Sequence, residues 1–183
     1  MIATAKLVDQ AIVLVGLTGA GKSSIGRRLA SRLDLEFTDA DAEIEAAAGC
    51  SVADFFERHG EPAFREGERR VIARLLDAGP RVLATGGGAY VDPETRRLLG
   101  ERAITVWLRA ELDLLVKRCA RRDTRPLLRE GDPREILASL MEERYPIYEQ
   151  ADITVETDDG PHAVTVDKII EALEARATAR TPS

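Results

Sequence analysis

The chain has 183 residues, of which 44% are apolar and 32% charged, and a formal net charge of −6. This is the size of one domain with enough apolar material for a packed core, which excludes disorder as the main state. The negative balance argues against a protein that coats nucleic acid or an anionic membrane, and its apolar runs are too short to span a bilayer.

Residues 11–15, AIVLV, form a continuous apolar run that ends at a glycine, the pattern of a strand buried on both faces. After Lys22, the residues Ile25, Leu29 and Leu33 recur every four positions and predict one apolar helix face. Residues 35–38 read as a second strand, closed by Asp39, Ala40 and Asp41. Ser51, with Asp54 three residues on, is a weak capping box before Phe55 and Phe56. Phe64, Glu68, Val71, Ile72, Leu75 and Leu76 predict a long amphipathic helix, stopped by Gly79 and Pro80. A third strand over 81–85 ends in Gly86, Gly87 and Gly88, and a fourth covers 103–108. Helices follow at 111–122 and 133–149, the second to be ended or kinked by Pro146, with a charged loop holding Pro126 and Gly131 between them. A fifth strand at 153–157 and a last helix at 161–177 complete the chain.

Strands alternating with helices imply an α/β fold, a five-stranded parallel sheet covered by helices on both faces. Ligands of such sheets bind at the carboxyl ends of the strands, so Gly16, the 39–41 acids and the 86–88 glycines should share one edge. The first ten residues, MIATAKLVDQ, lack the long apolar run and cleavage site of a signal peptide. Cys50 and Cys119 are far apart and in no CxxC pattern, so free thiols in a reducing cytosol are expected. His59 and His162 are too isolated for a zinc site or a Ser-His-Asp triad.

Residues 16–23, GLTGAGKS, fit GxxxxGK[ST]. Its glycines let successive backbone N–H groups turn inward as an anion cradle, and the following helix adds its positive end. Lys22 can reach the β and γ phosphates, and the Ser23 hydroxyl can bind Mg²⁺. At ordinary residue frequencies the pattern arises by chance in under about 1% of chains this long. Nucleoside triphosphate binding is therefore expected, but the loop does not say what receives the phosphate.

The third strand ends in glycines and carries no acid; the acids are Asp39 and Asp41 instead. If extended geometry continues, both carboxylates point to one side, one to hold Mg²⁺ through water and one to accept a substrate hydroxyl's proton. They read equally well as a helix N-cap pair. Gly86, Gly87 and Gly88 let backbone approach a small ligand, or simply make a tight turn. Arg65 and Arg144 lie among apolar helical neighbours, where an arginine usually needs a partner, or are solvated or salt-bridged like most single arginines. The arginine-rich loop at 121–134 is a lid that closes on a transferring phosphate, a solvated loop or a nucleic-acid patch. The net charge and 4% aromatic content count against the last.

These motifs, in this order, resemble shikimate kinase, a small P-loop kinase of the nucleoside monophosphate kinase type, over nearly the whole chain. GLTGAGKSSIGRRLA looks like that family's opening, FTDAD its D-x-D, and SVADFFERHGEPAFREGE its substrate-binding segment with a FRxxE pattern. TGGGA resembles its glycine turn, RPLL its lid, and ERYPIYEQAD the helix with its second substrate arginine.

The resemblance implies a single P-loop kinase domain over 1–183, with a substrate-binding segment near 39–68 and a lid near 119–132. It places Gly19, Ala20, Gly21, Lys22, Ser23 and Ser24 around ATP, with Ser23 on Mg²⁺ and Asp39 supporting the ion through water. Asp41 binds the shikimate hydroxyls and is the candidate base. Arg65 and Arg144 pair with the shikimate carboxylate, and Gly86, Gly87 and Gly88 line the pocket. Arg125 closes over the phosphates, and Arg118 and Pro161 lie near the adenine. The implied reaction gives 3-phosphoshikimate and ADP, a step of aromatic amino acid biosynthesis, with Lys22, Mg²⁺ and Arg125 neutralising charge. A cytoplasmic monomer with no nucleic-acid or membrane partner is expected. The sequence departs from the family at Ser24, where Thr is usual, and at Glu66-Gly67; Gly67 in a helix costs about 1 kcal/mol relative to Ala. Alternatives are a gluconate-type kinase, an ATP-binding switch and a nucleic-acid binder.

Overall fold

The structure is a computed structural model that describes residues 9–121 and 131–180. Five parallel strands form one sheet: β1 (Ala11–Val15), β2 (Phe37–Asp39), β3 (Val82–Ala84), β4 (Ala103–Arg109) and β5 (Ile153–Glu156), in the order β2-β3-β1-β4-β5. Every residue of β1 and β3 is buried, as expected for inner strands with helices on both faces. Edge strand β5 alternates buried and exposed instead. Leu14 of β1 is wholly buried; truncating such a leucine to alanine costs about 2–5 kcal/mol, a large share of a domain's stability.

The register explains how the sheet builds a site. One row across it runs Asp39, Ala84, Leu14, Val106 and Ile153. Strands β1, β2 and β3 therefore finish nearly level, and the segments that follow them emerge side by side, as the strand-end reasoning expects.

Helix α1 (Lys22–Leu33) buries Ile25, Leu29 and Leu33, the predicted stripe. Helix α2 (Ala40–Ala48) begins directly after β2, so extended geometry does not continue past Asp39. Asp39 is its N-cap, and of the two local readings of these acids the capping one describes the backbone. Helix α3 (Val52–Asp77) is longer than the helix expected from Phe64, because Ser51 caps an earlier start by accepting from Asp54 N. It is kinked at Gly60, whose φ is +80°. Residues 89–102, unassigned from sequence, hold a 3-10 turn (Ala89–Val91) and α4 (Pro93–Arg102). The signals were present: Asp92 caps α4, and Pro93 opens it. Helices α5 (Leu112–Ala120), α6 (Pro133–Tyr148) and α7 (His162–Arg180) follow, with α7 packed on α1. Among the described residues no helix is long and apolar enough to cross a membrane.

Candidate active site

The loop after β1 is shaped by backbone that only glycine tolerates well. Gly19 and Gly21 have φ of +86° and +94°. A methyl group on Gly19 would come within 2.9 Å of Cys119 Sγ, so the loop lies directly against α5. Gly21 caps α1 without a side-chain bond, and no acidic residue occupies the helix's first turn. The positive end of its dipole is thus at the cleft, which Lys22, Ser23 and Ser24 line. Lys22 Nζ donates to the carbonyls of Gly16 (2.7 Å) and Leu17 (3.0 Å), which folds it back over the loop. Arg118 donates from Nη1 to Ala20 O (3.1 Å) and Gly19 O (3.3 Å), and from Nη2 to Asp158 O (2.7 Å). Four carbonyls of the loop are thus held by two cations that themselves line the cleft. Burial draws the Arg118 pKa down, opposed by Asp159 and Asp158.

Asp39 joins this loop to β2. Its Oδ1 accepts from Asp41 N (3.0 Å) and Ala42 N (3.3 Å), while Oδ2 accepts from the Ser23 hydroxyl (3.2 Å). A hydroxyl and one carboxylate are hard oxygen donors suited to Mg²⁺, which keeps waters and takes phosphate oxygens as its other ligands. Among the described residues no cluster of three His, Cys, Asp or Glu makes a full protein cage.

The glycine turn after β3 obeys a different rule. None of Gly86, Gly87 and Gly88 has a left-handed φ; each is small because a side chain crowds it. A methyl group on Gly86 would lie 2.8 Å from Asp41 Oδ1, and one on Gly87 would lie 3.3 Å from Arg144 Nη1. One on Gly88 would collide with Arg65 Nη2. Three side chains from α2, α3 and α6 thus converge on three consecutive glycines. Gly87 also abuts the phosphate loop, 3.7 Å from Gly16 O and Thr18 N by the same construction.

Arg65 is held by Glu68 (2.7 Å) and Glu61 (3.5 Å). Burial pushes the Glu68 carboxyl pKa up from 4.5; Arg65 pulls it back, and Asp41 and Asp92 add to the rise. On α6, Tyr148 donates its hydroxyl proton to Gly87 O.

A cleft of about 560 Å³ is lined by Gly19, Gly21, Lys22, Ser23, Ser24, Asp39, Asp41, Gly86, Gly87 and Arg118, among others. The predicted residues on these elements therefore come together. Ala20 is wholly buried and takes part through its backbone alone. Gly88 and Arg65 sit beside the cleft, and Arg65 borders a second, more open hollow between α3 and α4. Pro161 is exposed and off the cleft wall, whereas its neighbour His162 lines it. The lid's middle and Arg125 lie outside the described residues. Sequence reasoning named Arg121 only as part of the arginine-rich loop and gave no role to Glu68, Tyr148, Cys119 or His162. Glu68 had a signal, its i+3 spacing from Arg65 in FRxxE; the others depend on tertiary placement.

The family model for shikimate kinase matches residues 18–174. The chain belongs to the shikimate kinase family. It is 61% identical over 166 residues to a shikimate kinase of Paramagnetospirillum magneticum, covering 91% of this chain and 85% of that one. The solved shikimate kinase from Acinetobacter baumannii, in complex with shikimate, superposes at a TM-score of 0.88 with 37% identity, over 95% of this chain and 98% of that one. A gluconokinase from Sinorhizobium meliloti superposes at a TM-score of 0.66 with 20% identity, over 93% and 95% of the two chains. That likeness shows a common fold alone. The shikimate kinase resemblance seen in the motifs is thus upheld, as is the five-stranded parallel fold.

Proposed function

We propose that this chain transfers the γ-phosphate of ATP to the 3-hydroxyl of shikimate, giving 3-phosphoshikimate and ADP, as its family membership implies. The observation that carries the residue assignments is the convergence of Asp41, Arg144 and Arg65 on the 86–88 turn, against the phosphate loop. An acid with adjacent hydroxyls needs cationic forks at one end and an acceptor at the other. Arg65 and Arg144 supply donors shaped to a carboxylate, which lysine does not. Asp41 accepts from the hydroxyls and takes the proton of the attacking one.

On the nucleotide side, the loop's N–H groups and the α1 N-terminus receive the phosphates. Lys22 leaves the Gly16 and Leu17 carbonyls and moves onto the β and γ phosphate oxygens. Mg²⁺, held by Ser23 and through water by Asp39, supplies neutralisation of phosphate charge when bound. Ser24, Arg118 and His162 line the cleft beside them, and Pro161, next to His162, is kept with Arg118 near the adenine. Arg125 is assigned to phosphate closure from the family motif. The free thiols of Cys50 and Cys119 fit the cytoplasmic reading, and the chain acts as a monomer.

ADP release with MgATP, measured with shikimate, with gluconate and with neither, tests the reaction. Release that depends on shikimate alone is expected. A higher kcat/KM for gluconate would replace the reading, and nucleotide binding without acceptor-dependent release would make the chain a switch.

A further inference from the structure

The two substrate arginines are held in opposite ways. Arg65 is anchored by two carboxylates, Glu68 and Glu61. Among the described residues no carboxylate pairs with Arg144, and its Nε is buried without a hydrogen-bond partner. One turn on along α6 lies Tyr148, wholly buried. Tyr148 donates to Gly87 O, and Gly87 is the glycine that Arg144 Nη1 overlies. Burial pushes the Tyr148 hydroxyl up to about 12, opposed by its charge and hydrogen-bond interactions with Arg144. The hydroxyl therefore keeps its proton near neutral pH and gives it to Gly87 O, which leaves its oxygen lone pairs to meet a donor.

Tyr145 provides a built-in control. It lies beside Arg144 on the same helix, its hydroxyl donates to Ala110 O just past β4, and its ring packs on Trp107 at 4.9 Å, as that of Tyr148 does at 5.8 Å. Burial pushes its hydroxyl pKa up; Ala110 and Arg109 oppose the rise, and Glu111 and Glu156 add to it. Both tyrosines fasten α6 across the fold, Tyr145 at Ala110 after β4 and Tyr148 at Gly87, the glycine that Arg144 also overlies.

We propose that Tyr148 is a positioning residue for substrate recognition: its hydroxyl ties the Arg144 guanidinium to the Gly87 carbonyl and fixes the fork and the glycine turn in one orientation for the shikimate carboxylate. A neutral anchor orients Arg144 without cancelling the charge that the carboxylate is to meet, as a carboxylate anchor would. The proposal rests on the reading of Arg144 as a carboxylate ligand.

The test is steady-state kinetics of Tyr148→Phe, Tyr145→Phe, Arg144→Ala and the double variant Arg144→Ala/Tyr148→Phe. Each Phe variant keeps the ring and removes one hydroxyl. Tyr148→Phe is expected to raise the shikimate KM about tenfold with kcat and the ATP KM nearly unchanged, the size of one lost hydrogen bond to a charged group. Tyr145→Phe should leave the shikimate KM within about twofold. Once Arg144 is alanine, removing the Tyr148 hydroxyl should add little, because the two act as one unit. A Tyr148→Phe protein that fails to fold while Tyr145→Phe folds, that loses both substrates together, or whose effect adds fully to that of Arg144→Ala makes the hydroxyl part of the framework and overturns the proposal. If Arg144→Ala itself leaves the shikimate KM unchanged, the carboxylate reading fails first and takes the proposal with it.

Discussion

Gly19 and Gly21 sit at φ of +86° and +94°, whereas Gly86, Gly87 and Gly88 have ordinary backbone angles and are small because Asp41, Arg144 and Arg65 stand where their side chains would be. The phosphate loop is a backbone device: its shape is fixed by dihedrals that favour glycine. The turn after β3 is a side-chain device, in which glycine makes room for groups arriving from three helices. Phosphate is common to every kinase of this fold and suits a backbone cradle, while the acceptor varies and suits replaceable side chains.

Substitutions on the two sides should therefore separate. Lys22→Ala should have the largest effect, lowering kcat/KM by about a hundredfold to a thousandfold, as for a lost charge donor at the transferring group. Asp41→Asn should lower kcat by more than about tenfold while the protein still binds ATP; near-normal turnover removes Asp41 from proton transfer. Arg65→Ala and Arg144→Ala should each raise the shikimate KM about tenfold or more and leave the ATP KM nearly unchanged, since a truncated ion-pair partner costs about 2 kcal/mol or more. Equal loss on both sides would make either arginine structural.

Two smaller effects concern stability. Glu68 has its carboxyl pKa raised by burial, so the folded state binds more protons than the unfolded chain in the window above 4.5. Its contribution is then fully present below that value and is lost as pH rises through the folded pKa. The melting-temperature difference between wild type and Glu68→Gln should shift toward the wild type as pH falls through that window, and a constant difference contradicts it. Gly67 lies inside α3, and a methyl group added there would meet nothing within 4 Å, so Gly67→Ala should stabilise the fold by about 0.5–1 kcal/mol in denaturant unfolding.

The same contrast explains what could be read in the sequence. A backbone device leaves a fixed local pattern, so GLTGAGKS announced the cradle, and the apolar run 11–15 announced the central strand before it. The strand-end edge shared by β1, β2 and β3 followed from alternating elements. The side-chain device had no such pattern. Arg65, Arg144 and Gly88 are distant in sequence and meet only through the packing of α3 and α6 around the turn. They were legible through resemblance to a family, and from the residues alone each kept a plain alternative. Of the readings of Asp39 and Asp41 the capping one describes the backbone: Asp39 is an N-cap, and capping fixes it between Ser23 and Asp41. Helix α4 was missed although Asp92 and Pro93 marked its start, because its apolar face is short, with only Thr95 and Leu99 buried. Tyr148 gave no sign, since a tyrosine at a helix end reads as core until its partner is seen.

The division between the two devices is tested most directly by one crossed measurement: the KM for ATP and for shikimate in Gly21→Ala and in Gly88→Ala. Gly21→Ala strains a φ of +94° and should weaken ATP while sparing shikimate. Gly88→Ala displaces the Arg65 guanidinium and should weaken shikimate while sparing ATP. If each variant instead loses both substrates to the same degree, the two glycine clusters are one structural unit, and the division drawn between them is wrong.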